Sequence, residues 1–247
     1  MEKFNRKKLI ALLSKVNLRG LTNKVWINNT EEDTEVYHVI DDSGNLIIDS
    51  ILKGNLFNSG EGIGIYDVQM FLRYLELFDE ENLTFKFIKN DDKENTRLVI
   101  SHKNKNINYV LARKENISIK DEFKKDPYEN VSYEFSFDKD FIQDVLKSLE
   151  VSQTKFVNFV IKDDNFFLYV GDMESKEHLI KIKIDDFKKI KELGTEKITF
   201  HSNFFMNILR ENNDKVDFKL VNGLLIYESK DKDIKSVYYQ RSLITEE

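Results

Sequence analysis

The chain has 247 residues, 40% of them hydrophobic and 12% aromatic, which is enough apolar surface for a large core and excludes wholesale disorder. One proline and no cysteine exclude Pro-rich linker architectures, a disulfide scaffold, thiolate metal sites and a cysteine nucleophile. Lys and Arg number 38 against 44 Asp and Glu, a net charge of −6, so contact with a nucleic acid would require a local basic surface inside an acidic whole.

The opening MEKFNRKKLIALLSKV is basic, then apolar. It has no small-residue cleavage site and is interrupted by Lys15, so it reads as a mature helix and not a signal peptide. The longest apolar runs, such as Leu9 to Leu13, fall far short of the roughly 18 residues of a membrane span, and a cytoplasmic protein is expected. With Asn5 as its cap, this first helix places Leu9 and Leu12 four and seven residues on, while Lys8 breaks the stripe. Alternating segments 24–30, 35–40 and 45–51 follow and read as strands.

The same unit then recurs, as strand, cap residue, amphipathic helix and three strands. GIGIYDVQMFLRYLELF carries Asp67 as cap and the stripe Met70, Phe71 and Tyr74. YEFSFDKDFIQDVLKSL carries Asp138, then Phe141, Ile142 and Val145. KITFHSNFFMNILREN carries Ser202, then Phe205, Met206 and Leu209. Asp and Ser suit the cap because their side-chain oxygens accept from unpaired amides of the first turn. Spacings of three, four and seven put one apolar stripe on each helix. Strands are expected at 83–88, 96–102 and 107–113, at 155–161, 165–171 and 178–184, and at 215–221, 223–229 and 234–240. Asp163-Asp164-Asn165, Asn222-Gly223 and Ser43-Gly44 supply hairpin turns. The caps at 5, 67, 138 and 202 are nearly evenly spaced, and the polar stretch KENISIKDEFKKDPYEN breaks the rhythm near mid-chain. Two similar domains are therefore predicted, 1–118 and 131–247, joined by a linker at 119–130.

IGIYDVQMFLRYLELF with LTFKFI and TRLVISH, the segment YEFSFDKDFIQDVLKSLEVSQTKFVNFVIKDDNFFLYVGD, and the ending IKSVYYQRSLITEE together resemble a DNA sliding clamp, the polymerase processivity factor. The similarity is to the T-even-like bacteriophage type, with proliferating cell nuclear antigen a more distant relative. The resemblance implies an α+β DNA-clamp fold, with two helices packed on antiparallel sheets in each domain and protomers closing head-to-tail into a homotrimeric ring. It implies no enzymatic activity and no cofactor, with double-stranded DNA, a DNA polymerase and a clamp loader as partners, in the host-cell cytoplasm if the protein is viral. Processivity in such a ring comes from topology, and a weak phosphate-directed attraction lets it slide.

If the helices line the hole, their outward faces should carry the DNA-facing residues. A helical wheel turns Lys7, Lys8, Ala11, Ser14 and Lys15 outward on the first helix, with Arg6 and Arg19 at its ends. The second offers Gln69, Arg73 and Glu76; the third Asp140, Gln143, Asp144 and Lys147; the fourth Asn203, Asn207 and Arg210. Solubility alone also places Lys and Arg on surface helices, and the third face is mixed. Acids gather instead in predicted turns, as at Asp41-Asp42, Asp91-Asp92, Asp163-Asp164 and Asp185-Asp186. The family match further implies a partner-peptide pocket built from Phe123, Tyr128, Tyr239, Leu243 and Ile244.

Enzyme readings find little purchase. The four histidines are scattered, Gly60 to Gly64 lacks a phosphate-loop lysine, and no G-x-S-x-G elbow is present. Paired carboxylates could hold Mg²⁺ in a metal-dependent nuclease, but all of them fall in predicted turns. The sequence thus leaves a DNA-encircling clamp, a non-ring processivity or interaction subunit of the same fold, and a metal-dependent nuclease.

Overall fold

The computed structural model describes residues 2–57, 62–119, 123, 125–171, 173, 179–193, 195–221 and 223–243. Its contacts divide the chain into two units, 1–121 with 232–236, and 122–231 with 237–247.

The first unit contains β1 (Glu2–Asn5), α1 (Arg6–Asn17), β2 (Val25–Asn29), β3 (Asp33–Ile40), β4 (Leu46–Lys53), β5 (Ile63–Ile65), α2 (Val68–Glu76), β6 (Asn82–Lys89), β7 (Asn95–His102) and β8 (Lys105–Val110). The second contains β9 (Val131–Asp138), α3 (Lys139–Ser152), β10 (Phe156–Lys162), β11 (Asn165–Val170), β12 (Ile180–Ile184), β13 (Phe187–Lys189), β14 (Lys197–His201), α4 (Ser202–Glu211), β15 (Lys215–Val221), β16 (Leu224–Asp231) and the larger part of β17 (Ile234–Arg241). The fold is α+β, and the pairs β1–β6, β2–β5, β6–β7, β9–β15, β10–β11 and β10–β14 are all antiparallel.

Each unit is woven from its two repeats. In the first, β1 precedes α1 but pairs with β6, which follows α2; β5 precedes α2 but pairs with β2, which follows α1. In the second, β9 pairs with β15 and β14 pairs with β10 in the same way. The strand orders are β1-β6-β7-β8 and β4-β3-β2-β5 in the first unit, and β12-β11-β10-β14 and β13-β9-β15-β16-β17 in the second. In this arrangement α1 packs on β4 and α2, while α3 packs on β9, β11 and α4, and α4 on β10 and β14.

Three of the four expected caps form. Asn5, Asp67 and Asp138 accept from the backbone N–H of Lys8, Met70 and Phe141 at 2.8–3.0 Å. The fourth is corrected: the helix begins at Ser202, its N-cap is His201, and the Ser202 hydroxyl donates instead to the Thr154 carbonyl. That hydroxyl is drawn away because Ser202 is already helical and lies beside the α3–β10 connection. The Asp163-Asp164 turn has both residues at positive φ, 51° and 57°, the geometry of a tight hairpin turn. Gly223 and Gly44 also adopt positive φ, while Asn222 lies outside the described residues. The expected strands all form, with shifted ends; His178 of the 178–184 segment lies outside the described residues, and β13 was not anticipated because three residues carry no readable alternation.

Phenylalanine fills the cores. In the second unit Phe135 stacks on Phe218 at 4.8 Å and meets Phe166 edge-on at 5.1 Å, and Phe159 touches Phe200 and Phe205 edge-on at 6.0 Å. In the first unit Phe57 meets Phe4 and Phe85 at 5.4 and 5.2 Å, and Phe71 meets Tyr109 at 4.7 Å. Such pairs add to the burial of the rings themselves. Phe159→Ala should therefore cost about 3–5 kcal/mol of unfolding free energy, while Asp67→Ala should cost about 1 kcal/mol through its lost cap. Urea denaturation of both variants checks the ranking; equal costs would contradict the assignment of Phe159 to the core.

Candidate functional site

The residues expected from the sequence fall on two surfaces, the outward faces of the helices and an aromatic cluster in the second unit. On α1, Lys7, Lys8 and Ala11 are exposed. Lys8 pairs with Asp233 at 2.9 Å, an ammonium contact that holds the Asp233 carboxyl below its usual range, and Lys7 lies 3.9 Å from Glu81. Lys15 corrects the wheel: it is only 7% exposed. Because α1 is flanked by α2 as well as β4, its buried arc is wider than one apolar stripe requires. Arg6 is likewise committed within the unit, its guanidinium donating to the carbonyls of Leu75, Asp79 and Glu80 at 2.8–3.3 Å. It caps the carboxyl end of α2, where unpaired carbonyls attract a cation. Arg19 is exposed in a left-handed turn, with φ of 60°. On α2, Arg73 is exposed beside Glu76.

In the second unit the helix faces are closer to neutral. Lys147 is exposed but lies 3.5 Å from Asp144, and Arg210 binds Glu150 at 2.6 Å. Asn203 is exposed, whereas Asn207 is 7% exposed and donates to the carbonyl and side-chain oxygens of Asn203 at 2.9 Å. Its expected outward placement is therefore corrected, because α3 flanks α4 and covers that side.

The aromatic cluster joins three of the sequence-expected pocket residues. Phe123 and Tyr128 meet Tyr239 of β17, with ring centroids at 4.7 and 6.5 Å. Lys219 of β15 places its ammonium 5.0 Å from the centre of the Tyr128 ring and binds Glu228 of β16 at 2.7 Å. Burial, followed by hydrogen bonding with Tyr239 and Glu228, pushes the Tyr128 phenol well above its usual range. Leu243 takes a different place, donating its N–H to the Thr199 carbonyl at 2.8 Å and so extending the edge of β14. Ile244 lies outside the described residues. Sequence reading missed Lys219 and Glu228; the signal was a diagonal pair of opposite charges across the hairpin that turns at Gly223.

Of the paired carboxylates, Asp41 serves local structure. Asp41 is buried and accepts from the N–H groups of Leu46 and Ser43 at 2.7 and 3.0 Å, and Asp33 accepts from Gly54 at 3.1 Å. Among the described residues no group of three or more His, Asp or Glu could hold a metal ion. Among those residues, too, no helix is long and apolar enough to cross a membrane.

The two-helix, strand-exchanged units define the fold of a DNA clamp. Over 98% of its length the chain superposes on 98% of proliferating cellular nuclear antigen from Entamoeba histolytica, with 13% identity and a TM-score of 0.69. It superposes on PCNA from Thermococcus kodakaraensis with the same coverage, 12% identity and a TM-score of 0.70. No protein-family model matches the sequence, and no curated protein matches it.

The buried phenols carry a pH consequence. Burial raises Tyr109, Tyr128 and Tyr227 above the ordinary tyrosine value of 10.0. The folded state thus keeps protons that the unfolded state releases near that value, so their contribution is complete below it and declines as the pH rises beyond it. The urea midpoint should fall progressively above about pH 10, and Tyr128→Phe should flatten that fall. A midpoint independent of alkaline pH would contradict the burial of these phenols.

Proposed function

We propose that the protein is a sliding clamp that encircles duplex DNA without reading its sequence and tethers a DNA polymerase. The observation that carries this reading is full-length agreement with the clamp fold, reached by strand exchange in both units. The resemblance of its sequence to the T-even-like bacteriophage type supports a viral replication factor acting in the host-cell cytoplasm, with a clamp loader as partner. The chain performs no chemistry in this role.

Ring closure requires a heterologous contact, in which one surface of a protomer meets a different surface of the next. Two sheet ends suit it. β8 terminates one sheet of the first unit and β12 one sheet of the second, each presenting a row of backbone groups to an added strand. Apolar side chains stand exposed in the same neighbourhoods. Val110 is exposed on β8, and Leu77, 56% exposed, has its carbonyl bound by Lys105 of β8 at 2.6 Å. Val151, 80% exposed, ends α3, the helix that packs on β11 beside β12. Pairing β8 of one protomer with β12 of the next would cover these residues, and three such contacts make the proposed trimer.

Within the ring, Lys7, Lys8 and Arg73 are the cations we assign to the DNA backbone from the first unit. The Asn203, Lys147 and Arg210 side chains of the second unit offer polar groups whose charge is partly balanced by Asp144 and Glu150. Partners would dock a short apolar peptide over Phe123, Tyr128 and Tyr239.

Sedimentation at tens of micromolar should give three times the 29.3 kDa protomer mass, and Leu77→Glu with Val151→Glu should give the monomer. A wild-type protein that stays monomeric would favour a non-ring interaction subunit. Replacing Lys7, Lys8 and Arg73 together by Glu should weaken duplex-dependent stimulation of polymerase product length on the order of tenfold, with unchanged trimerisation. Undiminished product length would remove the proposed DNA-facing assignment.

A further inference from the structure

The solvent face of the β12-β11-β10-β14 sheet is cationic within an acidic chain. No strand of the sheet contains an Asp or Glu, yet it carries Lys162, Lys181, Lys183 and Lys197. Strand alternation turns Val157, Phe159, Phe166, Leu168, Ile198 and Phe200 into the core. The opposite parity therefore places the lysines outward, together with Phe167 and Tyr169. The register sets them in rows, with Lys183 opposite Phe167, Lys181 opposite Tyr169, and Lys197 opposite Val160, itself the partner of Phe167.

The two rings lie 6.2 Å apart along β11 and are half-buried. Lys181 holds its ammonium 3.7 Å from the Phe167 centroid and 5.7 Å from that of Tyr169. Among the described residues Lys162, Lys181 and Lys197 sit in no ion pair, while Lys183 binds Asp185 at 2.6 Å. The combination is a row of cations with aromatic rings between them. An acidic peptide would use only the cations. A single-stranded nucleic acid uses both, its phosphates tracking the lysines and its bases stacking on the rings, whereas a duplex keeps its bases stacked on each other.

The first unit supplies an internal comparison. One of its sheets, β1-β6-β7-β8, also turns cations outward, Lys3, Lys86 and Arg97, but its outward positions hold Ile88, Val99 and Val110 and no aromatic ring. Positive charge alone thus occurs on both sheets, and rings among the cations on one.

We infer that the outward face of β12-β11-β10-β14 binds single-stranded nucleic acid through Lys162, Lys181, Lys183, Lys197, Phe167 and Tyr169. The site is separate from the helix faces assigned to duplex DNA and does not depend on ring closure.

Fluorescence anisotropy with a labelled oligo-dT of about 16 nucleotides tests it on the full chain. The wild type should bind with a salt slope that falls by about 0.7 for each lysine removed. Lys181→Glu with Lys197→Glu should weaken binding on the order of tenfold, and Phe167→Ala by about fivefold or more. Lys86→Glu with Arg97→Glu, the same change of charge on the ring-free sheet, should leave binding unchanged, as should the Leu77→Glu and Val151→Glu monomer. Absence of binding, undiminished binding by the Lys181 and Lys197 variant, or equal loss in the Lys86 and Arg97 variant would overturn the inference. So would a blunt duplex or polyglutamate that competes as well as the single strand. Because the monomer retains this site, failure of the clamp reading and failure of this one produce different results.

Discussion

A short helix with one apolar stripe is unstable until a sheet covers that stripe, and this constraint governs both units. Helices of nine to fourteen residues gain most of their stability from tertiary packing and not from intrinsic propensity. The chain meets the requirement by exchanging strands between repeats. The strand that leads into each helix is hydrogen-bonded to the first strand of the other repeat, so neither repeat can complete its sheet alone. Phe4 on β1 illustrates the result, since its ring packs against Phe85 of β6 at 5.9 Å.

The exchange also determines which side chains remain for function. Each helix is held by strands and by its neighbouring helix, which leaves a narrow outward arc. Lys15 and Asn207 fall inside the buried arc, and Lys7, Lys8, Arg73 and Asn203 outside it. Arg6 shows how a cation is withdrawn from the surface, because Leu75 in the last turn of α2 and Asp79 and Glu80 just beyond it offer three carbonyl acceptors close at hand. The helix surface is consequently less basic than a count of lysines and arginines suggests. That suits the proposed ring, for which tight phosphate binding would oppose sliding.

Charge is sorted by sheet as well as by helix. The β12-β11-β10-β14 strands hold lysines without acids, while β13, β9, β15 and β16 together interleave both signs, as in the Lys188–Glu134 and Lys219–Glu228 pairs. Opposite charges on neighbouring strands neutralise one another locally, and an acid-free sheet cannot do so. An overall charge of −6 therefore conceals surfaces of opposite character.

The sequence by itself determined the repeat. Cap residues Asn5, Asp67 and Asp138, the stripes behind them and the turn residues at Asp163, Asp164 and Gly44 act through contacts a few residues apart, so their pattern is readable along the chain. Only the tertiary structure decided the rest, because it depends on partners distant in sequence. Strand exchange, the burial of Lys15, the capture of Arg6 by carbonyls about seventy residues away and the Lys219–Glu228 pair beside Tyr128 are of this kind. Even the fourth cap obeys the distinction: Ser202 has the right chemistry locally, but the carbonyl of Thr154, brought near by folding, claims its hydroxyl.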